Sequence, residues 1–468
     1  MLYEKLTKYA ASGIYPMHMP GHKRNPGLNL PGLPYDIDIT EVHGFDNLHD
    51  PRGVLRETAD LAAGLYGSDK AFLLINGSTA GILSAIGAHA RHGDKILMAR
   101  NCHLSAYNAV ALFGLKPVYI HPGTEPATGV AKSVRPEAVA AALENQPDIK
   151  LVVVTSPTFE GVISDIASIA DAAHSHNVPL LVDAAHGAHL GFSPEFGGCA
   201  LKAGADIVVM SLHKTLPALT QCALLHIRGG RASSDEISRL LSVFQTTSPS
   251  YVLMASIDRC LRIIASDKDR LFGDYTRNLD RLREEVSSLQ NLSLLWHGPA
   301  APPFGFFAYD PGKLVIMTTK TTLSGTAMAD IMRAEHKIEL EMSCAAFAVA
   351  MTGICDTEVG FERLAAALKA IDSTAQPAAA PEPGLPAPMP TQVKTPGDAL
   401  NLPGNPVAIE DAGGKMSLEY IWAYPPGIPI IAPGEVIGKS IISYIAGLIK
   451  AGVNLKSTRG LLPAVIVK

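Results

Sequence analysis

Residues 179–215 read PLLVDAAHGAHLGFSPEFGGCALKAGADIVVMSLHKT. Two apolar runs, Pro179–Asp183 and Asp206–Ser211, each end in polar groups. The first opens into Asp183-Ala184-Ala185-His186 and then His189. The second opens into Ser211-Leu212-His213-Lys214-Thr215. Runs without polar alternation suit strands buried on both faces, as in a mostly parallel sheet covered by helices. Outward from this stretch the pattern recurs at Lys70–Ile75, Lys95–Met98, Lys150–Thr155 and Cys222–Ile227. Helical patterns over Ala80–Arg91, Arg135–Glu144 and Ile166–Ser175 supply the crossovers of βαβ units. The expected fold is α/β with a mostly parallel central sheet.

The rest of the chain divides around that core. Residues 1–50 are loop-like and hold His18, His22, His43 and His49 among Gly and Pro. The large domain is expected over 51–265. A long helical stretch, Tyr251–Gln290, leads into a smaller α/β domain over 266–373. The Pro/Ala-rich segment 374–397 reads as a semi-extended linker, followed by a C-terminal domain over 398–468.

Composition removes several function classes. The 468 residues carry 39 basic and 44 acidic side chains, a net charge of −5 without like-charge runs, which argues against nucleic acid. No apolar run approaches the ~18 residues of a membrane span. MLYEKLTKYAASG has no secretory apolar region, so a cytoplasmic protein is expected. The six cysteines are scattered without a CxxC pair, consistent with reduced thiols, and no metal pattern forms.

In open parallel sheets, ligands bind beyond the carboxyl ends of the strands. The end of Lys70–Ile75 delivers Asn76-Gly77-Ser78-Thr79 to a helix start. Free N–H groups, two hydroxyls and the helix dipole there suit a phosphate, although a plain helix cap uses the same residues. Lys95–Met98 places His103 near its end. Asp183 closes an apolar strand, where a carboxylate needs a cation or a strong donor. Lys214 follows a buried strand, where burial converts an ammonium into a nucleophilic amine. His186 and His189 have no thiolate or carboxylate pattern to complete a metal site. Asp183-Ala184-Ala185-His186 lacks the glutamate of a DEAH ATPase, and neither a Walker A loop nor GxGxxG is present. A phosphate cradle, an acid, an imidazole and a lysine together fit pyridoxal phosphate.

The motifs MHMPGHK (17–23), NGSTAG (76–81), RNCHLSAYN (100–108), VDAAHGAHLGF (182–192), SLHKTLPALTQ (211–221), TTSPSY (246–251) and YPPGIPIIAPGE (424–435) resemble the short forms of the bacterial Orn/Lys/Arg decarboxylases. The resemblance spans nearly the whole chain in the same order. It implies the fold of aspartate aminotransferase and PLP-dependent decarboxylation of lysine, arginine or ornithine. It casts Lys214 as the Schiff-base lysine, Asp183 as the pyridinium partner and His103 as the stacked imidazole. Gly77, Ser78, Thr79, Ser211 and His213 fall around the phosphate and the lysine, with Ala185 and His186 beside the cofactor. His213 shares with Lys214 the candidacy for reprotonating Cα. Thr247 and Ser248 correspond to a segment lent by the partner of a homodimer. Glu41, Asp46 and Glu435 are acidic candidates for the distal cation of the substrate. Ala184 stands where many short relatives have glutamate. The rival readings are an aminotransferase or other PLP reaction, for which Arg24, Arg52 and Arg100 are candidate carboxylate ligands, and a non-catalytic protein of the same fold.

Overall fold

The expected strands assemble into one seven-stranded sheet in a computed structural model. It describes residues 1–13, 17, 19, 20, 23, 32–126, 128–296, 303–378, 389–424, 427–450, 453–460 and 462–468. His18, His22, Arg24 and residues 379–388 of the Pro/Ala-rich segment lie outside the described residues.

After α1 (Leu2–Ala10) and α2 (Val54–Tyr66), the large domain runs β1 (Lys70–Leu74), α3 (Gly77–His89), β2 (Lys95–Ala99), α4 (Leu104–Phe113), β3 (Lys116–Ile120), α5 (Pro136–Asn145) and β4 (Ile149–Thr155). It continues through β5 (Val162–Ile163), α6 (Ile166–Ser175), β6 (Leu180–Asp183), β7 (Ile207–Ser211), α7 (Leu212–Thr215), β8 (Ala223–Ile227), α8 (Ser234–Phe244) and α9 (Tyr251–Glu285). The sheet order is β1-β8-β7-β6-β4-β2-β3. β7, β6, β4, β2 and β3 are parallel, while β8 is antiparallel to both β7 and β1. Every residue of β6, β7 and β8 is buried, which explains their unbroken apolar text.

Two differences from the sequence reading have clear causes. KPVYI, residues 116–120, is a strand that the apolar-run criterion misses because Pro117 interrupts it. β3 is an edge strand, where a missing N–H is tolerated. The turn expected over Asn76–Thr79 is already the first turn of α3. Gly77 reaches φ +72° there and donates its N–H to Gln221 O at 3.1 Å. A residue with a Cβ strains at that angle.

The expected boundary at 265/266 falls inside α9, which is continuous for 35 residues. Its buried residues Met254, Ile257, Leu261 and Ile264 precede Phe272, Tyr275, Leu279 and Leu282 in one helical stripe, and no proline stops it. The small domain follows: β9 (Ser293–Leu294), β10 (Ala308–Tyr309), β11 (Lys313–Met317), α10 (Gly325–Glu335), β12 (Met342–Ser343), β13 (Phe347–Met351) and α11 (Glu358–Thr374). β12-β13-β11-β9 form an antiparallel sheet, while β10 pairs with β5 of the large domain.

The C-terminal part comprises β14 (Thr391–Gln392), α12 (Pro396–Leu400), β15 (Asn405–Ala408), β16 (Ile421–Ala423), β17 (Ile428–Ile431), β18 (Glu435–Val436), α13 (Lys439–Lys450), β19 (Leu455–Ser457) and β20 (Ala464–Val467). It has its own apolar cluster, which includes Ile421, Ile431, Ile437, Ile441, Ile445 and Val465. Among the described residues, no helix is long and apolar enough to cross a membrane.

Candidate active site

The parallel strands β6 and β7 are adjacent, so their carboxyl ends bring Asp183 and Lys214 to one edge. Lys214 lies in the short helix α7, started by the buried Ser211 at the end of β7. Its Nζ is 2.9 Å from Nε2 of His186, which sits on the turn after β6. Burial lowers the Lys214 pKa from the ordinary lysine value, and the charge of Lys313 lowers it further, against Asp183 and Glu341. Burial and the neighbouring Lys214 hold the His186 pKa well below the usual imidazole value. Both shifts favour the uncharged forms of the pair, and the uncharged amine is the nucleophilic form of a lysine.

Asp183 is buried, and its Oδ1 accepts from Ala185 N at 3.1 Å. Burial raises its pKa, while His103 and Lys214 pull it down. A buried carboxylate with one oxygen bonded keeps the other for a cationic or strong donor. His103 caps α4: its Nδ1 accepts from Ser105 N at 3.2 Å and lies 2.9 Å from Ser105 Oγ. Desolvation lowers its pKa, opposed by Asp183 and reinforced by Lys214. His213 points its Nδ1 at Cys222 O, 3.0 Å away, and partial burial lowers its pKa.

The α3 end reaches the same edge. Ser78 Oγ and Ser211 Oγ are 2.7 Å apart, joining the helix start to the end of β7. Asn76 offers no side-chain cap to the first turn and instead accepts from Thr246 N. Thr79 is exposed, as are Thr247 and Ser248 in the loop whose Thr246 N reaches Asn76. The first turn of α3, with its dipole and its two hydroxyls, has the chemistry that can receive an anion. Among the described residues, no group of three or more His, Cys, Asp or Glu is placed to hold a metal.

The acidic candidates fare differently. Asp46 is a structural cap: its Oδ2 accepts from Gly53 N and Leu55 N at 2.7 and 2.9 Å at the start of α2. Glu435 is also structural. It is buried, pairs with Arg100 at 3.1 Å and accepts from Ala432 N at 2.6 Å. Arg100 is itself taken up by Glu435, Tyr107 and the carbonyls of Pro429 and Ile430, and Arg52 is an exposed partner of Asp50. Neither is free for the carboxylate role of an aminotransferase. Glu41 keeps a buried, unpartnered Oε1 and lies within electrostatic reach of Tyr251 at the start of α9.

Three contributors were missed in the sequence. Lys313 and Glu341 act on Lys214 from the small domain, which no local motif signals. Gly427, of the YPPG motif, lies against the imidazole of His103: a Cβ built there would sit 3.1 Å from its Nε2. Its carbonyl also accepts from Leu104 N at 3.0 Å. At φ +88°, Gly427→Ala adds strain of about 1–3 kcal/mol and a clash with the ring. Turnover is expected to fall several-fold with faster proteolysis of the loop; unchanged steady-state kinetics would count against this contact.

Fold and site together define an α/β protein with a lysine, a buried aspartate and histidines gathered at the carboxyl edge of its sheet. The Orn/Lys/Arg decarboxylase major-domain family matches residues 1–302, and the C-terminal domain of the same decarboxylases matches 385–455. The chain is 32% identical over 472 residues to an arginine decarboxylase of Bacillus subtilis (strain 168), covering 97% of this chain and 94% of that protein. It is 31% identical over 468 residues to an arginine decarboxylase of Halalkalibacterium halodurans, again covering 97% and 94%. The fold is similar to that of a lysine decarboxylase from Francisella novicida, with TM-score 0.82 at 18% identity, over 100% of this chain and 80% of that one. The chain belongs to the Orn/Lys/Arg decarboxylase family and is a decarboxylase of basic amino acids. That retires the non-catalytic reading, and family membership implies pyridoxal phosphate.

Proposed function

We propose that arginine is the amino acid decarboxylated, with pyridoxal phosphate held at the Lys214 edge. Support for arginine comes from the relatives that align over nearly the whole chain. The observation that carries the chemistry is the half-buried Lys214–His186 contact beside Asp183.

The donor set fits the cofactor. Lys214 would hold it through the amine, the spare Asp183 oxygen would take the ring nitrogen, and the α3 start with Ser78 and Ser211 would take the phosphate. The buried Nδ1 of His186 has no partner within the protein, so a polar group remains for a ligand to meet. When bound, the ring supplies an electron sink for the bond lost as carbon dioxide leaves.

The side chains do the rest. Asp183, kept dry, stabilises positive charge on the ring nitrogen more strongly than an exposed carboxylate can. Nζ of Lys214 would take up the proton that the substrate's α-ammonium loses and would be the favoured donor of it to Cα, with Nε2 of His186 close enough to exchange a proton with it. His213 is the less suited donor, since its Nδ1 is engaged by a backbone carbonyl. His103 closes one side, with the Gly427 loop behind it. Thr247 and Ser248 are exposed beside the phosphate seat, which supports a homodimer that shares the site across its interface. The reaction supports a place in polyamine metabolism, and we propose the cytoplasm as its compartment.

Glu341 is exposed and near enough to act electrostatically on Lys214, so we assign it, with Glu41, to the distal guanidinium. Glu341→Gln is expected to raise KM for arginine roughly tenfold, the value of one charge-assisted hydrogen bond, with kcat little changed. An unaltered KM removes Glu341 from recognition. The test of the whole reading is carbon dioxide release from arginine, lysine and ornithine by purified protein with pyridoxal phosphate. Arginine should give the highest kcat/KM; preference for another of the three overturns the substrate assignment.

A further inference from the structure

His103 is gripped by its own helix. It is the N-cap of α4, and its Nδ1 accepts from Ser105 N at 3.2 Å. A ring nitrogen that accepts from a backbone N–H carries no proton of its own, so the proton of the neutral ring sits on Nε2. The Ser105 hydroxyl lies 2.9 Å from the same Nδ1. Because that nitrogen is the acceptor, the hydroxyl donates. Ser105 is buried at the second position of α4, where its side chain does not cap the helix. Among the described residues, its hydroxyl has no hydrogen-bond partner other than Nδ1 of His103.

The strands set this grip at the carboxyl edge of the sheet. β2 leads into His103 and pairs with β4, and Thr155 at the end of β4 pairs in register with Asp183. Between β2 and α4, Cys102 Sγ reaches Val153 O of β4 at 3.8 Å. The opposite edge of the imidazole meets the C-terminal part: a Cβ on Gly427 would stand 3.1 Å from Nε2 and 3.2 Å from Cδ2. Leu104 N donates to Gly427 O at 3.0 Å, which ties that loop to the same helix start. His103 is nevertheless exposed. With one edge on α4 and the other against the Gly427 loop, the open surface is a face of the ring. An imidazole held in one orientation has a flat face ready to stack, without the rotamer freedom that a loose side chain loses on binding.

We propose that Ser105 is a positioning residue: its hydroxyl, together with the α4 backbone, holds the His103 ring in the orientation that presents a face to the flat ring of the cofactor. This rests on the reading that pyridoxal phosphate binds at the Lys214 edge with His103 beside it.

The test is a double-variant cycle on the full chain. It is read by the affinity of the cofactor-free protein for pyridoxal phosphate and by the visible circular dichroism of the loaded protein. Ser105→Ala should weaken the affinity roughly fivefold, the value of one neutral hydrogen bond, and diminish the dichroism. The absorbance at saturation should remain, because Lys214 is intact. His103→Asn removes the ring yet keeps a side-chain acceptor for the helix start, and should weaken the affinity roughly tenfold. In the His103→Asn background, Ser105→Ala should change the affinity by less than about twofold, since the ring it positions is gone. Should Ser105→Ala fold poorly, Ser105→Cys keeps the volume, replaces the hydroxyl by a weak donor and should act in the same direction. Equal losses in the two backgrounds overturn the proposal, because Ser105 then acts without the ring. A folded Ser105→Ala with parental affinity and dichroism also overturns it. A His103→Asn variant with parental affinity and dichroism overturns instead the placement of His103 beside the cofactor.

Discussion

Lys214→Ala should lower decarboxylation at least ~10³-fold and abolish the visible absorbance of the bound cofactor. The loss combines the covalent anchor with the proton donor that the geometry places nearest His186. General acid–base catalysis alone contributes roughly 10²–10⁴-fold, and removal of the nucleophile adds to it. Protein stability should change little or rise, because the variant removes an amine that burial already disfavours as a cation. The measurements are carbon dioxide release, the cofactor spectrum and a thermal melt on one preparation. A small primary amine added to the variant should restore part of the activity by replacing the missing Nζ. Turnover within tenfold of the parent would remove Lys214 from the reaction. Loss of activity together with collapse of the melt would instead reveal a structural lysine.

How much of this was legible in the sequence depended on where each constraint lay. The strand ends were legible because β6 and β7, and β4 from Leu151 to Val154, are buried and apolar up to a polar final residue, Asp183, Ser211 and Thr155. Polar text resumes only where the edge begins. Lys214, Asp183 and His186 follow directly from that rule. Ser78 could be placed because the first turn of α3 needs small residues and a glycine. What was not legible are interactions made by distant segments. Lys313 reads locally as the first residue of an ordinary strand, and only the packing of β10 against β5 brings it behind His189. Gly427 reads as a turn glycine in a Pro-rich motif, yet its approach to His103 depends on how the C-terminal part is seated. The same distance misdirected the reading of Glu435. A glutamate in a motif loop suggests substrate contact, but its Oε2 is engaged by Arg100, more than three hundred positions earlier in the chain.

Arg100→Leu should detach the C-terminal part locally, and it carries the largest stability effect expected of any substitution away from Lys214. Arg100 donates to Tyr107 OH, to the carbonyls of Pro429 and Ile430 at 2.8 and 3.1 Å, and to Glu435 at 3.1 Å. Burial opposes its charge, yet Tyr107, Glu435 and Tyr119 hold its pKa above the usual arginine value. Leucine fills much of the space but leaves Glu435 buried without its cation. Breaking a buried pair in this way costs about 3–5 kcal/mol. That corresponds to roughly two to three and a half orders of magnitude in the opening equilibrium. Hydrogen exchange should therefore accelerate by about that factor in β16 and β17, while the amides of β6 and β7 keep their protection. The sign with pH is fixed by Glu435. Burial already raises its pKa in the parent, opposed by Arg100, so removing Arg100 raises it further. A carboxyl whose folded pKa exceeds its unfolded value loses stability as pH rises through the folded value and regains it on acidification. The exchange defect of Arg100→Leu should shrink as pH is lowered, and Arg100→Leu combined with Glu435→Gln should be more stable than the single variant at neutral pH. Because Gly427 and β17 back His103 through the same segment, the single variant should also lose turnover without losing the cofactor spectrum. A uniform rise in exchange across both domains would mean that Arg100 supports the whole fold and not the C-terminal seat.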